Sequence, residues 1–509
     1  MFDVRNSLRP YFTIPNGAAF LFMAITLATS GDYGIHGDEL YYMACGRHPA
    51  WGYVDHPPLV SLLVIVGTRI FGETMFGLRI MASIAGAVTV LLTAKIARKF
   101  GGGVFSQSFA ALSICCSTVF AAIFGFFSMN PFDIMLCTLF MHTFICAVEN
   151  PSWIKWTMVG LLSGAGVLNK YTFLVLGFSL FTSLVITRQW KVLRSPGLYA
   201  AGLIALVMFL PHVLWQMSNG WPTLEFMRNA TGLKNIQLSP VSFFVQLIIG
   251  LNPFTLPVWL AGISFLLFSK RAAAFRFIGW TVIIFVLVYI LQRSKFYYVV
   301  PVFPILLAAG AVEIEHFAKR AHAGWTRWTA MSLLLISGIV TTPFAVPIFP
   351  VEQYVSYAKS IGMWNMLRME KNEDEEVLPI HLVHRMGWEK LVGEIAKTYR
   401  ALPQSERDSC AILASWYGIA GAVDYFGPAL GLPPAICPHN SYWSWGTGGY
   451  AGNVVLAVGY GDGDLEKVFD DVTLVSHFRQ KYANGAYLYI CRKPRMTMGE
   501  IWNLAKHFI

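Results

Sequence analysis

Charged side chains are scarce in this sequence: Asp, Glu, Lys and Arg make up only 13% of its 509 residues. A soluble globular chain carries roughly 25%, so the composition excludes an ordinary water-soluble domain. The signatures of several common chemistries are lacking as well. None of the eight cysteines stands at zinc-knuckle or redox spacing. Gly459-Tyr460-Gly461-Asp462-Gly463 follows a strand-like run but has no Lys-Ser/Thr of a nucleotide loop, which leaves a plain turn. There is no internal repeat and no low-complexity tract. No small-residue cleavage site follows the first apolar stretch, so it reads as a retained span rather than a signal peptide.

Apolar length, by contrast, is abundant. Hydrophobic residues make up 55% of the chain, and they gather into runs near 14–30, 77–97, 104–124, 131–147, 156–169, 172–187, 198–215, 241–269, 277–292, 297–313 and 328–347. A spanning helix needs about 20 such residues. The expectation is a mainly α, polytopic membrane protein of about 11 transmembrane helices. The fifth and sixth runs are parted only by Asn169-Lys170-Tyr171. The eighth contains Asn252-Pro253 and Pro257, which predict a kink or break.

The formal net charge of +10 does not point to nucleic acid, because the basic residues lie between apolar runs rather than in one patch. With Arg5 and Arg9 on the inner side, the inner loops hold Arg98-Lys99, Lys155, Arg188, Lys270-Arg271 and Lys319-Arg320. The outer loops are poorer in Lys and Arg. This asymmetry predicts a cytoplasmic N-terminus, and an odd number of spans then sends the tail outside.

Composition changes near residue 351. We expect a transmembrane domain over 1–350 and a small extracytoplasmic α/β domain over 351–509. Lys371–Glu376 is a solvated charge run. Strands are expected at Ala411–Ser415, Val454–Val458 and Ala486–Cys491, and helices near 386–400 and 464–480. In an oxidising compartment one disulfide can form among Cys410, Cys437 and Cys491.

The remaining polar residues concentrate in the first outer loop, 31–76. It carries Gly37-Asp38-Glu39-Leu40-Tyr41-Tyr42 and Tyr53-Val54-Asp55-His56-Pro57-Pro58-Leu59. Carboxylates and an imidazole at a membrane edge cost free energy unless they are used or hydrated. Asp38 and Glu39 can serve as a general base toward a hydroxyl, and equally suit the cap and first turn of a helix. Asp133, opening the fourth run, is either a second acidic group facing a cavity or a first-turn aspartate. Lys170, Arg293 and Lys295 are outer-edge cations able to stabilise charge on a leaving phosphate, or to anchor helix ends by snorkelling. Tyr297 beside them fits the site or an aromatic belt. Tyr42, Tyr53 and Trp443 are candidate substrate contacts, with core packing the alternative for Trp443. Asp55 and His439 suit a divalent metal (Mg, Mn or Zn). His142 reads as a hydrogen-bonded interior residue.

Asp38-Glu39 after the first span, with an aromatic loop closing in Pro57-Pro58-Leu59, resembles the polyprenyl-phosphate-sugar transferases of the GT-C membrane fold. These include the dolichyl-phosphate-mannose protein mannosyltransferases and the aminoarabinose transferase acting on lipid A. Leu168-Asn169-Lys170-Tyr171, the run Lys295–Pro304 and the segment His439–Gly446 resemble stretches of that family too. The resemblance implies inverting transfer of a sugar from a polyprenyl-phosphate carrier to an envelope acceptor: lipid A, polysaccharide or protein. It implies a bacterial inner-membrane location with the site on the periplasmic side. Carried over by motif, the base is Asp38, with Glu39 its rival. His56 stands where the aminoarabinose branch has a lysine, and a neutral imidazole donates only one hydrogen bond. The alternatives are a transporter or flippase of a lipid-linked sugar and an inactive accessory subunit. Transporters often show paired broken helices around a midplane site, whereas here one run alone is strongly interrupted.

Overall fold

The computed structural model describes residues 13–362, 378–481 and 485–509; Arg5, Arg9 and the Lys371–Glu376 run lie outside them. All eleven apolar runs fall on helices. Only helices or closed barrels satisfy every backbone polar group inside lipid, which is why apolar length alone locates them. Among the described residues, six helices are long and apolar enough to cross a membrane, or eight if each of two bent pairs is one span. Eleven crossings exceeds that count. A further short apolar helix, Leu59–Phe71, lies outside the expected runs. The chain is an integral membrane protein.

The break expected in the eighth run is present. Pro240–Gly250 and Pro253–Phe268 meet at 99°, with Asn252 in the left-handed region at φ 75°. A second bend, of 65°, divides Val104–Cys115 from Thr118–Phe124 with no proline. At the break the Ser117 hydroxyl lies 2.6 Å from the Ser113 carbonyl and 2.8 Å from the Leu251 carbonyl, and shares its proton between the helix and the neighbouring segment. Asn252 returns the contact, donating to the Cys116 carbonyl at 3.0 Å. The two breaks therefore satisfy each other's freed backbone.

Toward the C-terminus a five-stranded sheet forms from β1 (Cys410–Ala414), β2 (Ala435–Ile436), β3 (Val454–Val458), β4 (Phe469–Phe478) and β5 (Ala486–Pro494), in the order β2-β1-β3-β5-β4. β2, β1 and β3 are parallel, while β5 runs antiparallel to both β3 and β4. β1 and β3 are buried along their whole length, matching their unbroken apolar sequence. One face packs on Met498–Ala505. The other packs on Trp388–Ala401 and Tyr417–Phe426, in one apolar cluster continuous with the membrane helices.

The helix expected over 464–480 is not there. That segment is mostly strand β4, an edge strand whose Val472-Thr473-Leu474-Val475 stretch favours pleated backbone. All eight cysteines are free, and β3 separates the Cys410 strand from the Cys491 strand.

Candidate active site

The Asp38 segment is a helix start, Gly37–Arg47, capped by His36 rather than by either acid. The His36 Nδ1 accepts from the Asp38 amide at 3.0 Å, and the Glu39 carboxylate accepts from the His36 amide at 2.8 Å. This is a capping box with histidine in the Ser/Thr role. The neighbouring carboxylates then part ways. Glu39 is fully buried and receives Arg79 Nε at 2.8 Å, Arg79 Nη2 at 2.5 Å and the Phe127 amide at 2.9 Å. With these partners Glu39 faces away from any open space; it braces the loop against the Arg79 helix and the connection at Phe127. Arg79 also donates to the carbonyls of Ser30 and Gly34.

The helix is held from the other side by the region beyond residue 378. The Gly37 amide donates to the His384 carbonyl at 3.0 Å. Gly34 sits at φ +97°, where a Cβ would lie 2.6 Å from the Arg385 carbonyl oxygen, so only glycine permits this approach. The helix itself crosses Tyr417–Phe426 at Gly421, whose missing Cβ would meet Leu40 at 2.9 Å.

Asp38 lines a cavity of about 440 Å³, within the range of small-molecule sites, about 300–1,000 Å³. Its carboxylate accepts from the Tyr417 hydroxyl at 2.9 Å and lies 3.8 Å from the His36 ring. Lys234, Lys295 and Tyr297 line the same space, with Asn130 and five histidines: His36, His381, His384, His439 and His507. Burial lowers the basicity of the His36, His439 and His507 rings, and holds His381 down at about 3. Burial also pushes the Asp38 carboxyl up, but His36, Lys234, His384 and the Tyr417 hydroxyl reverse this and leave it below the usual carboxylate range. Among the lining side chains are one carboxylate, Asp38, and two lysines, Lys234 and Lys295.

Of the residues expected at the site, Asp38, Lys295, Tyr297 and His439 line the cavity. The others do not. Asp133 is buried in its helix, with Lys170 at 4.0 Å. Lys170 donates to Asn130 at 2.7 Å and lies 4.6 Å from the Tyr298 ring centre, so it supports the wall from behind. Arg293 is exposed away from the cavity. His56 is fully buried, bonded to the Pro57 carbonyl at 2.8 Å and stacked on Tyr53. Tyr53 bonds the Cys45 and His48 carbonyls, and Tyr42 packs on His56 and Phe127. Trp443 exchanges indole bonds with Trp502. In each case the ring packs against or bonds its neighbours. Asp55 accepts from Tyr41 at 2.6 Å, whereas His439 stacks on Tyr417. The described residues contain no group of three or more His, Cys, Asp or Glu placed to hold a metal.

Lys234, Tyr417, His384 and His507 were not expected. Lys234 reaches the cavity on a π-turn, Ala230–Lys234, after the helix Pro222–Asn229. The other three come from the C-terminal region.

In fold the chain is similar to solved structures of ArnT. It superposes on ArnT from Cupriavidus metallidurans in the apo state with a TM-score of 0.63, covering 93% of this chain and 98% of that one at 15% identity. The same protein bound to undecaprenyl phosphate gives 0.59 at 14% identity, with the same coverage. Residues 55–215 match the profile of the dolichyl-phosphate-mannose-protein mannosyltransferases. The undecaprenyl phosphate-alpha-4-amino-4-deoxy-L-arabinose arabinosyl transferase 1 of Pseudomonas fluorescens is 24% identical over 305 residues, 57% of this chain and 54% of that protein. The chain thus spans about half the length of this curated relative. The resemblance read from the loop motifs to polyprenyl-phosphate-sugar glycosyltransferases holds in both sequence and fold.

Proposed function

We propose that this chain is an integral membrane glycosyltransferase that moves a sugar, with inversion, from a polyprenyl phosphate to an envelope acceptor. The observation that carries the reading is that Asp38, Lys234 and Lys295 line one cavity. Asp38, held ionised, takes the proton of an acceptor hydroxyl as that oxygen attacks the anomeric carbon. The glycosidic C–O bond breaks on the opposite face, and the lipid phosphate leaves with the bonding electrons. Lys234 and Lys295 stabilise the charge that develops there. About 440 Å³ accommodates a sugar and phosphate, while the lipid chain stays in the membrane. Lipid A, a polysaccharide and a protein hydroxyl remain the acceptor classes. The cavity would open on the periplasmic side of a bacterial inner membrane, with eleven crossings and an extracytoplasmic 351–509 domain. The two bent helices give a flippase no added support, since their breaks satisfy one another's backbone.

The donor half of this reading is tested by undecaprenyl phosphate binding to the purified protein. Lys234→Ala and Lys295→Ala should each weaken binding about tenfold or more, the scale of a lost charged hydrogen bond, roughly 1.5–3 kcal/mol. The exposed Arg293→Ala should bind like wild type. Equal affinity across all four proteins would remove the donor from this cavity.

A further inference from the structure

The base assigned above comes from the first loop of the membrane part, yet its hydrogen-bond partner lies 379 residues along the chain. Tyr417 opens the helix Tyr417–Phe426, directly after β1 and the turn that follows it. Its ring is clamped between Tyr41, stacked at 4.5 Å and 25°, and His439, stacked at 4.8 Å and 20°. Tyr41 is itself tied at its hydroxyl to Asp55 and Ser441. The close crossing at Gly421 and the Gly37 contact with Trp416 fix the two helices against each other. A ring held on both faces, on a helix with no room to slide, delivers its hydroxyl to one place. That place is the Asp38 Oδ1.

We propose that Tyr417 is the positioning residue of the reaction. It orients the Asp38 carboxylate toward the cavity, so that the sheet-bearing region completes the site instead of serving as a separate binding module. The proposal rests on Asp38 as the base. An O–H donated to a carboxylate favours its ionised form, and stable orientation of a base is worth more than its mere presence. Tyr417 does not act alone on this carboxyl. His36 on its own element, His384 from the segment beyond 378, Lys234 from the 222–238 stretch, and Tyr42 and His56 from the first loop also face Asp38. Tyr417 donates its hydroxyl to that carboxylate, and burial and Asp38 hold the hydroxyl protonated.

The test needs no known acceptor. A water-soluble carbodiimide with a small amine modifies a carboxyl in its protonated form, so labelling of Asp38, read by peptide mass spectrometry across a pH series, reports its ionisation. In Tyr417→Phe the stacked ring stays and the hydroxyl goes. The labelling midpoint should rise by roughly one pH unit, the share of one donor among the two or three that can depress a carboxyl. With an envelope lipid extract supplied as acceptor pool, release of undecaprenyl phosphate from undecaprenyl-phosphate-linked sugars should show the same upward move of its acid limb. There kcat should fall about tenfold with the donor KM unchanged. Tyr417→Ala, which also removes the stack, should give the same midpoint shift and a lower unfolding temperature. A wild-type midpoint and acid limb in Tyr417→Phe would overturn the proposal. Full turnover by Asp38→Asn would instead overturn the base assignment, while the labelling would still show whether Tyr417 governs the carboxyl.

Discussion

An Asp38→Asn variant is expected to fold, to bind the lipid phosphate, and to lose sugar transfer by about 10²–10⁴-fold, the usual contribution of a positioned base. The substitution keeps the shape of the side chain and leaves an oxygen to accept from Tyr417, now at 2.9 Å from the carboxylate. What it removes is the charge and the site for a proton. Because Asp38 lines one cavity with Lys234 and Lys295, its carboxylate repels the donor phosphate. Neutralising it should therefore tighten donor binding while abolishing turnover. Loss of kcat with a lowered KM separates this outcome from simple damage to the site. Steady-state kinetics on purified protein, alongside undecaprenyl phosphate affinity, reads both quantities.

The adjacent residue should behave in the opposite way. Glu39→Gln is expected to cost about 3–5 kcal/mol of stability, the scale for removing one partner of a buried ion pair. Its carboxylate is buried between Arg79 and two backbone amides, and the charge of the buried Arg385 also faces it. Neutralising Glu39 strands these guanidinium groups without a counter-charge. A domain holds only about 5–15 kcal/mol in total, so little folded protein should be recovered, and what is recovered should melt early. The double variant Glu39→Leu with Arg79→Met should regain part of the loss. Acid has a related effect. Burial raises the Glu39 carboxyl, and the charge and hydrogen bonds of Arg79 pull it down further, for a net depression. A depressed carboxyl contributes stability above its unfolded value and loses it as pH falls through the folded one. Unfolding temperature should therefore drop only below the ordinary carboxylate range, and Glu39→Gln should flatten that drop.

Asp38 and Glu39 show how far this sequence is legible and where it stops. Two acids after a greasy run mark a loop as costly, and the cost points to a site. Neighbours on a helix point about 100° apart, however, and nothing local says which one faces the cavity. The decision is made by Arg79, 40 residues on. That arginine is itself a readable signal, because a charge inside an apolar run demands a buried partner. Helix positions were legible for a similar reason, since lipid tolerates only long apolar segments there. The bend at Ser117 was not, because the Leu251 carbonyl that shares its hydroxyl belongs to a distant segment.

Tyr417, His384 and His507 lie beyond any local pattern. They reach the Asp38 cavity through the packing of a sheet-bearing region onto the membrane helices. Lys234 sits in a polar stretch with no period, and only the turn at Ala230–Lys234 aims it inward. His56 and Tyr53 show the converse. Their rings look like ligand contacts in a loop, but the fold stacks them on one another.

The central claim is that this chain breaks a sugar–phosphate bond with Asp38 as base. The most direct measurement reconstitutes the purified protein in liposomes with undecaprenyl-phosphate-linked sugars and an envelope lipid extract as acceptor pool, and follows undecaprenyl phosphate release together with the glycosylated product. Wild-type protein should release undecaprenyl phosphate and form a matching glycosylated product, and Asp38→Asn should bind donor and do neither. Donor crossing the bilayer intact, with no phosphate released by either protein, would contradict the account.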